Sequence, residues 1–217
     1  MLDEKKKKAI LHRVDHTLLN PNAVTAQLNK VCAEALLYET ATVCIMPAAV
    51  AYVKEKFPHL TVCTVVGFPF GYQTTAVKRF ETADALQNGA TEIDLVINRM
   101  DVKNGDFTAV TAEIAAIKEI CGDKILKVIV EVCDLTTEEK ISLCQCVTAA
   151  KADYIKTSTG FGKGGATLED VALFRKHIGK DVKIKAAGGL RTAAELEAFY
   201  DAGVERIGAS CGVEVLK

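Results

Sequence analysis

Short runs of β-branched and apolar residues alternate along the chain with longer stretches in which apolar residues recur every three to four positions. The short runs predict strands at Val14–Leu18, Thr42–Met46, Thr61–Val66, Glu92–Asn98, Ile125–Val132, Tyr154–Thr157, Val182–Ala186 and Arg206–Ala209. The longer stretches predict helices at Ala23–Tyr38, Thr74–Asn88, Phe107–Ile120, Thr136–Ala150, Leu168–His177 and Thr192–Asp201. Glycines stand where such helices end, since Gly89 precedes "ATEIDL" and Gly203 precedes "VERIGA". This succession of β-then-α units predicts a parallel sheet.

Eight such units are the number that closes a (β/α)8 barrel, and about 200 residues is the compact end of that fold's size range. The structural alternative is a doubly wound open sheet, whose strands are covered on both faces and read as continuous apolar runs. The predicted strands alternate instead, and in Glu92–Asn98 the apolar Ile93 and Leu95 lie opposite Asp94. We therefore predict a single (β/α)8 barrel domain over residues 1–217, with a short N-terminal helical extension.

One face of several predicted strands carries charge, and this face is expected to point into the barrel. The residues on it are Asp15, Glu92, Asp94, Lys127, Glu131, Lys156, Lys183 and Lys185. Positive and negative groups are balanced in this set, as burial requires. We interpret Glu92, Lys127 and Lys183 as structural charges paired near the bottom of the barrel.

Lys156 and Lys185 lie on consecutive predicted strands, which are neighbours about 4.8 Å apart in a barrel. Two inward ammonium groups at similar height would lower each other's pKa, and burial would lower it further. A lysine with its ordinary pKa of ~10.4 is neutral in about one molecule in 2,500 at pH 7, whereas a pKa of ~7.5 leaves roughly a quarter neutral. The pair, with Asp94 beside it, is typical of covalent amine catalysis. The alternative is a lysine that pairs with Asp94 and keeps a high pKa.

Three glycine-rich loops follow the last three predicted strands: "STGFGKGG", "AAGGLRT" and "GASCG". Glycine allows backbone N–H groups to approach an anion, and barrels often bind phosphate after strands seven and eight. Gly160, Gly162 and Gly165 also spell the dinucleotide pattern G-x-G-x-x-G, but Asp181 precedes the next strand instead of ending it. We therefore interpret the loops as a phosphate site, to which Arg191 and Ser210 add donors.

The composition limits the partners that we expect. A net charge of −1 over 217 residues gives no electrostatic footprint for nucleic acid. No apolar run approaches the ~20 residues that span a membrane. The basic run Lys5–Lys8 predicts a solvated helix face, and the segment after it is too short and charged for a signal peptide. We expect a cytoplasmic protein that binds neither nucleic acid nor membrane.

The eight cysteines do not form a metal-binding or disulfide pattern. There is no C-x-x-C, and the isolated Cys144-x-Cys146 has no second pair or nearby histidine. The histidines are scattered, at His12, His16, His59 and His177. The sequence therefore predicts reduced thiols, no metal site and no cofactor.

Seven segments, taken together, carry a resemblance to a known family. They are "VDHTLLNPNA", "TVCIMP", "TVVGFPFGYQTTAVK", "GATEIDLVIN", "YIKTSTGFGKGGAT", "IKAAGGLRT" and "RIGASCG". In order, and along nearly the whole chain, these segments resemble the deoxyribose-phosphate aldolase family. The resemblance implies a metal-free class I aldolase on a (β/α)8 barrel. Such an enzyme cleaves 2-deoxy-D-ribose 5-phosphate reversibly to glyceraldehyde 3-phosphate and acetaldehyde.

The resemblance also implies roles for single residues. Lys156 matches the Schiff-base lysine, Lys185 the second lysine that perturbs it, and Asp94 the proton-relay aspartate. Asp15 and Cys44 match residues that line the same pocket. The implied phosphate site comprises Thr159, Gly160, Gly188, Gly189, Gly208 and Ser210. We expect small phosphosugar and aldehyde substrates, and a homo-oligomer that is a dimer or a tetramer.

The sequence departs from the family pattern at several positions. Cys211 stands where some members carry a second serine, Phe161 replaces a lysine, and Val132 stands where a threonine is common. The chain ends at Lys217, without the tyrosine-ended tail of longer members. Two other hypotheses stay open, a metal-dependent lyase or isomerase on the same barrel and a phosphosugar-binding sensor without catalytic activity.

Overall fold

Eight parallel strands close into a barrel in the computed structural model, which describes residues 2–217. The strands are β1 Val14–Leu18, β2 Thr42–Ile45, β3 Val62–Val66, β4 Glu92–Val96, β5 Ile125–Ile129, β6 Tyr154–Lys156, β7 Lys183–Ala187 and β8 Arg206–Ala209. Each strand pairs with the next in the chain, and β8 returns to β1 by pairing Ile207 with Val14 and Gly208 with Asp15. The predicted single-domain (β/α)8 barrel is confirmed, and the open sheet is excluded.

The helices of the described residues follow the strands around the barrel. They are α1 Glu4–Leu11, α2 Thr25–Leu37, α3 Val50–Lys56, α4 Thr75–Gln87, α5 Arg99–Lys103, α6 Phe107–Cys121, α7 Thr137–Ala149, α8 Leu168–His177, α9 Ala193–Asp201 and α10 Gly212–Leu216. Hydroxyl side chains begin four of them, because each accepts a hydrogen bond from a backbone N–H of the first turn: Thr74, Thr136, Thr167 and Thr192. Each such cap contributes about 1 kcal/mol. No helix in residues 2–217 is long and apolar enough to cross a membrane.

The hydrophobic core lies between the barrel and the helices. Ile93 and Leu95 of β4, with Leu126 and Val128 of β5, are completely buried, as is Ile114 of α6. These strand residues alternate with the inward ones, so the apolar phase of each strand holds the helices. Burying one such side chain contributes about 1.5–3 kcal/mol. The other residues of each strand, which alternate with these, point into the barrel and form its polar interior.

Some strands end earlier than predicted, because the backbone leaves the extended conformation sooner than the apolar run ends. β5 ends at Ile129 and not at Val132, because Glu131 adopts a left-handed conformation with φ of 60° and a short turn over Val132–Asp134 follows. Helices α3, α5 and α10 were not predicted. They have seven, five and five residues, which is too short for a helical period to stand out.

The basic run falls on α1, which packs against α9 and α10. Ile10 and Leu11 at the end of α1 are buried. Lys6 is half-buried and forms ion pairs of 2.7 Å with Glu197 and 2.9 Å with Asp201, both on α9. The predicted solvated face is therefore solvated only in part, and one of its lysines fastens the helix to the barrel.

Candidate active site

The two lysines and the aspartate singled out in the sequence meet inside the barrel. Lys156 and Lys185 are paired residues of β6 and β7, and both lie on the inward phase. Lys156 Nζ and Lys185 Nζ each lie 2.7 Å from the same oxygen, Oδ2 of Asp94. Asp94 and Lys185 are completely buried, and Lys156 is 3% exposed. A single carboxylate thus joins two amines.

Further charges extend this contact into a network. Lys185 Nζ lies 2.5 Å from Asp15 Oδ2, and Lys127 Nζ lies 3.0 Å from Asp94 Oδ1 and 2.5 Å from Glu92 Oε2. We call the interconnected set the interior charge cluster, and its members are Asp15, Glu92, Asp94, Lys127, Lys156, Lys185 and Arg206. It holds four cationic and three anionic side chains when all are ionised.

The cluster sets the ionisation of its members. Burial alone would raise the pKa of Asp94, but the ammonium groups of Lys127, Lys156 and Lys185 outweigh it and hold that pKa well below its usual range. Burial alone would lower the pKa of Lys185, but Asp15 and Asp94 raise it above its ordinary value. The expectation that the pair lowers the pKa of both lysines is therefore wrong for Lys185, which keeps its proton.

Two residues assigned to the interior lie elsewhere. Lys183 begins β7 with its side chain exposed, and its Nζ lies 5.7 Å from the ring centre of Tyr154, so it belongs to no buried pair. Glu131 lies beyond the end of β5, where its carboxylate accepts a hydrogen bond from Thr159. Lys127 is paired with Glu92, as predicted for a structural charge, but it also contacts Asp94, the residue opposite it on β4.

Sequence reasoning missed two members of this region. Arg206 donates to Asp15 Oδ1 at 2.7 Å and to both oxygens of Glu92 at 2.7 and 2.8 Å. Cys63 Sγ lies 3.2 Å from Asp94 Oδ1. The alternation that selected the other inward residues also selects Arg206, since it is paired with Lys185 on the neighbouring strand. Cys63 carried no comparable signal, because a lone buried cysteine is usually a small apolar residue.

A cavity of about 380 Å³ opens above the cluster, at the carboxyl ends of the strands. Lys156 is the member of the interior charge cluster that lines it. The predicted phosphate-site residues all line it as well: Thr159, Gly160, Gly188, Gly189, Gly208 and Ser210. Asp15 and Cys44, expected to line the same pocket, are buried beneath it. The amine at the floor and the loops at the rim therefore face one space.

The glycine loops have backbone conformations that other residues rarely adopt. Gly160, Gly188 and Gly189 have φ values of 86°, 89° and 81°. The loops after β6 and β7 also touch, since a Cβ on Gly165 would lie 2.1 Å from the carbonyl oxygen of Gly188. Glycine is required there by the approach of one loop to the other. Two glycines of the G-x-G-x-x-G pattern, Gly160 and Gly165, thus pack against Gly188, and Gly162 packs against Cys133 and Glu131.

Two groups of side chains have metal-ligand atoms within 4.8 Å of one another in the described residues: Cys44, Cys63 and Asp94, and Asp15, Cys63 and Glu92. Their carboxylates already accept hydrogen bonds or ion pairs from lysine and arginine. A metal ion would have to displace those cations. The donor set therefore fits the ammonium and guanidinium groups that are present.

The comparisons with known proteins agree on one family. Residues 9–217 match the DeoC/LacD family aldolase profile. The deoxyribose-phosphate aldolase of Clostridium botulinum (strain Alaska E43 / Type E3) is 54% identical over 209 residues, which cover 96% of this chain and 95% of that protein. That of Clostridioides difficile (strain 630) is 49% identical and covers 97% and 96%. The tetrameric deoxyribose phosphate aldolase from Aeropyrum pernix superposes with a TM-score of 0.89 at 28% identity, covering 97% and 90%.

The matched family and relatives are aldolases, which are lyases, and the closed (β/α)8 barrel with a lysine at the floor of its mouth fits that class. The chain belongs to the DeoC/LacD aldolase family. The resemblance read from the seven segments is confirmed at the level of the family.

Proposed function

We propose that this aldolase cleaves 2-deoxy-D-ribose 5-phosphate reversibly to D-glyceraldehyde 3-phosphate and acetaldehyde, through a Schiff base on Lys156. The observation that carries the proposal is the position of the Lys156 amine, which faces the cavity on one side and Asp94 on the other. The two curated relatives described above, both deoxyribose-phosphate aldolases by name, support the choice of substrate.

The reaction begins when the neutral amine of Lys156 attacks the aldehyde carbon of the open-chain sugar, and the adduct takes up one proton and loses water. The resulting iminium withdraws electrons from the bond between C2 and C3 of the sugar. That bond breaks as the C3 hydroxyl loses its proton, which releases glyceraldehyde 3-phosphate and leaves the enamine of acetaldehyde on Lys156. A proton then adds to the enamine carbon, and hydrolysis releases acetaldehyde.

The charge of the cluster supports this role for Lys156. Four cations face three anions when every member is ionised, so the loss of one proton brings the cluster to balance. Lys156 is the member that lines the cavity, so it is the amine of the cluster that a substrate can reach. The iminium later restores a positive charge 2.7 Å from Asp94, where the ammonium was.

Asp94 and Lys185 are proposed to move the protons through a water molecule. Asp94 stays ionised at neutral pH because the surrounding lysines hold its pKa well below its usual range. Lys185 stays protonated because Asp15 and Asp94 outweigh the effect of its burial on its pKa. The pair therefore offers an acceptor and a donor joined at 2.7 Å, which suits removal of the hydroxyl proton and protonation of the enamine.

The phosphate of the sugar is proposed to bind in the glycine loops. Gly188 and Gly189 line the cavity and have no side chains, so an anion can approach their backbone N–H groups closely. Gly160, Gly208 and Ser210 complete the rim of the cavity. Phosphate held at the rim leaves the rest of the sugar to extend toward Lys156 at the floor.

The proposed enzyme acts in the cytoplasm as a homo-oligomer. The tetramer from Aeropyrum pernix supports the oligomer, and eight cysteines without a disulfide suit a reducing compartment. Sedimentation equilibrium tests the oligomer, since a mass of one chain at micromolar concentration would contradict it.

A kinetic comparison tests the proposed function. Wild-type protein should release glyceraldehyde 3-phosphate from 2-deoxyribose 5-phosphate with or without EDTA, and Lys156→Ala should lose at least ~10³-fold in kcat. Lys183→Ala, in an exposed lysine of β7, is the control and should keep its activity. Activity in Lys156→Ala, or its loss from the wild type on addition of EDTA, would overturn the proposal.

A further inference from the structure

Glu131 is a buried carboxylate that the proposed mechanism does not use. It is 1% exposed, lies just after β5 and does not line the cavity. Its φ of 60° is left-handed, as in two other non-glycine residues of the described chain, Glu39 and Lys151, but those two are exposed. A glutamate keeps such a conformation only where its surroundings hold it, and such residues concentrate at functional sites.

The carboxylate of Glu131 is directed at Thr159. Its Oε2 accepts a hydrogen bond from Thr159 Oγ1 at 2.5 Å, and the backbone N–H of Thr159 lies 3.4 Å from both carboxylate oxygens. Thr159 Oγ1 in turn accepts from the N–H of Phe161 at 3.0 Å. The single hydroxyl proton is therefore committed to Glu131. A phosphate oxygen only accepts hydrogen bonds, so this hydroxyl has no proton left to offer it.

The loop after β6 also packs on Glu131. We call residues 158–165 the β6 loop. A Cβ on Gly162 would lie 3.1 Å from Cδ of Glu131, so the loop passes close over the carboxylate. Gly160, next to Thr159, approaches the loop after β7, where a Cβ on Gly188 would lie 3.5 Å from its Cα. The contacts run from Glu131 through Thr159 and Gly160 to Gly188, and all but Glu131 line the cavity.

We propose that Glu131 is a positioning residue that holds Thr159, and with it the β6 loop, where the N–H of Gly160 can bind the phosphate of the substrate. This inference rests on the proposed function and assigns the phosphate end of that site. Thr159 then contributes through its bond to Glu131 and not as a phosphate ligand. Because Glu131 is buried away from the cavity, its effect falls on phosphate binding and leaves the Schiff-base chemistry at Lys156 in place.

The test compares substrates with and without phosphate. In Glu131→Ala, KM for 2-deoxyribose 5-phosphate should rise at least ~10-fold with kcat within about threefold, since one charge-assisted hydrogen bond is lost. The kcat/KM for unphosphorylated 2-deoxyribose should change less than about threefold. Glu131→Gln keeps one acceptor oxygen and should recover most of the loss. Equal losses on both substrates, or a fall in kcat at constant KM, would overturn the proposal.

Two further variants separate the contact from general damage. Glu131→Ala combined with Thr159→Val should be no worse than either change alone, because both changes remove the same contact. Glu39→Ala removes a left-handed glutamate from an exposed site and should leave both KM values unchanged. Additive losses in the double variant would contradict a shared contact.

Inorganic phosphate gives a readout that does not depend on the aldol reaction. Calorimetric titration should show its Kd at least ~10-fold higher in Glu131→Ala than in the wild type, and near the wild-type value in Glu131→Gln. An unchanged Kd in Glu131→Ala would overturn the positioning role. Failure of the wild type to cleave 2-deoxyribose 5-phosphate would instead overturn the proposed function, so the two failures are distinguishable.

Discussion

Asp94 takes part both in the proposed proton transfers and in the ion pairs that stabilise the inside of the barrel. Its Oδ2 accepts from Lys156 and Lys185, and its Oδ1 accepts from Lys127. A buried carboxylate is stable only with such partners, and removing one partner of a buried ion pair typically costs about 3–5 kcal/mol. The contacts that stabilise the barrel are thus the same contacts that keep Asp94 ionised beside the amine.

At the scale of single residues, stability should depend on the ionisation of these carboxylates. Three cations, Lys185, Lys127 and Arg206, outweigh the effect of burial on Asp15 and lower its pKa in the folded state, as the lysines do for Asp94. The unfolded chain, with a carboxyl pKa near ~3.9, then binds protons that the folded chain does not. The stabilisation is present above that value and is lost as the pH falls through the folded pKa.

We therefore expect the free energy of unfolding, measured in urea, to fall between pH 6 and pH 3. Asp15→Asn should be less stable than the wild type at pH 6 but should lose less on acidification, because one of the linked carboxylates is gone. Equal pH dependence in the two proteins would contradict a lowered pKa of Asp15 in the folded state.

At the scale of elements, the ends of β6 and β7 build the site together. Thr157 Oγ1 donates to the carbonyl of Ala187 and accepts from its N–H, both at 3.0 Å, so the two strand ends are fastened just below the loops. Above them Gly165 lies against Gly188. Loop position therefore follows from strand pairing and from glycine contacts.

Gly165→Ala should disturb the loops without touching the catalytic amine. Its Cβ would lie 2.1 Å from the carbonyl oxygen of Gly188 and 2.4 Å from the carbonyl carbon, so one loop must move. We expect KM for the phosphorylated substrate to rise about 10-fold and the free energy of unfolding to fall by about 1–3 kcal/mol. Steady-state kinetics and urea unfolding measure the two effects.

Gly105→Ala is the matched control for this substitution. Gly105 has a φ of 73°, but nothing lies within 4 Å of the position of its Cβ. Alanine there should cost up to about 1 kcal/mol for the left-handed backbone and leave KM unchanged. An unchanged KM in Gly165→Ala as well would contradict the coupling of the two loops.

The sequence predicts the elements better than it predicts their ends. All eight strands occur where short runs of β-branched and apolar residues predict them, because such residues suit a buried pleated sheet. The end of β5 was misplaced because the left-handed turn at Glu131 depends on its contact with Thr159, 28 residues away. Such a contact leaves no local pattern in the sequence.

At the scale of the molecule, the strands of the barrel carry charged side chains on their inward face and apolar side chains on the face that packs against the helices. Strand alternation was sufficient to select Asp94, Lys156 and Lys185, and the structure brings all three together. Strand alternation does not show which charges pair, because the long side chains of lysine and arginine can reach carboxylates on more than one strand. Arg206 on β8 pairs with Asp15 on the neighbouring β1 and with Glu92 on β4, across the barrel, and Lys183 turns outward instead of joining the interior.

Reduction with borohydride tests the central claim most directly. Protein treated with acetaldehyde and sodium borohydride, then digested, should carry one reduced two-carbon adduct in the peptide that contains Lys156, and Lys156→Ala should carry none there. 2-Deoxyribose 5-phosphate in place of acetaldehyde should also leave a reduced adduct on this peptide, because its cleavage passes through the same lysine. An adduct mapped to Lys185 or to an exposed lysine such as Lys183, or no adduct in active enzyme, would contradict the Schiff base on Lys156.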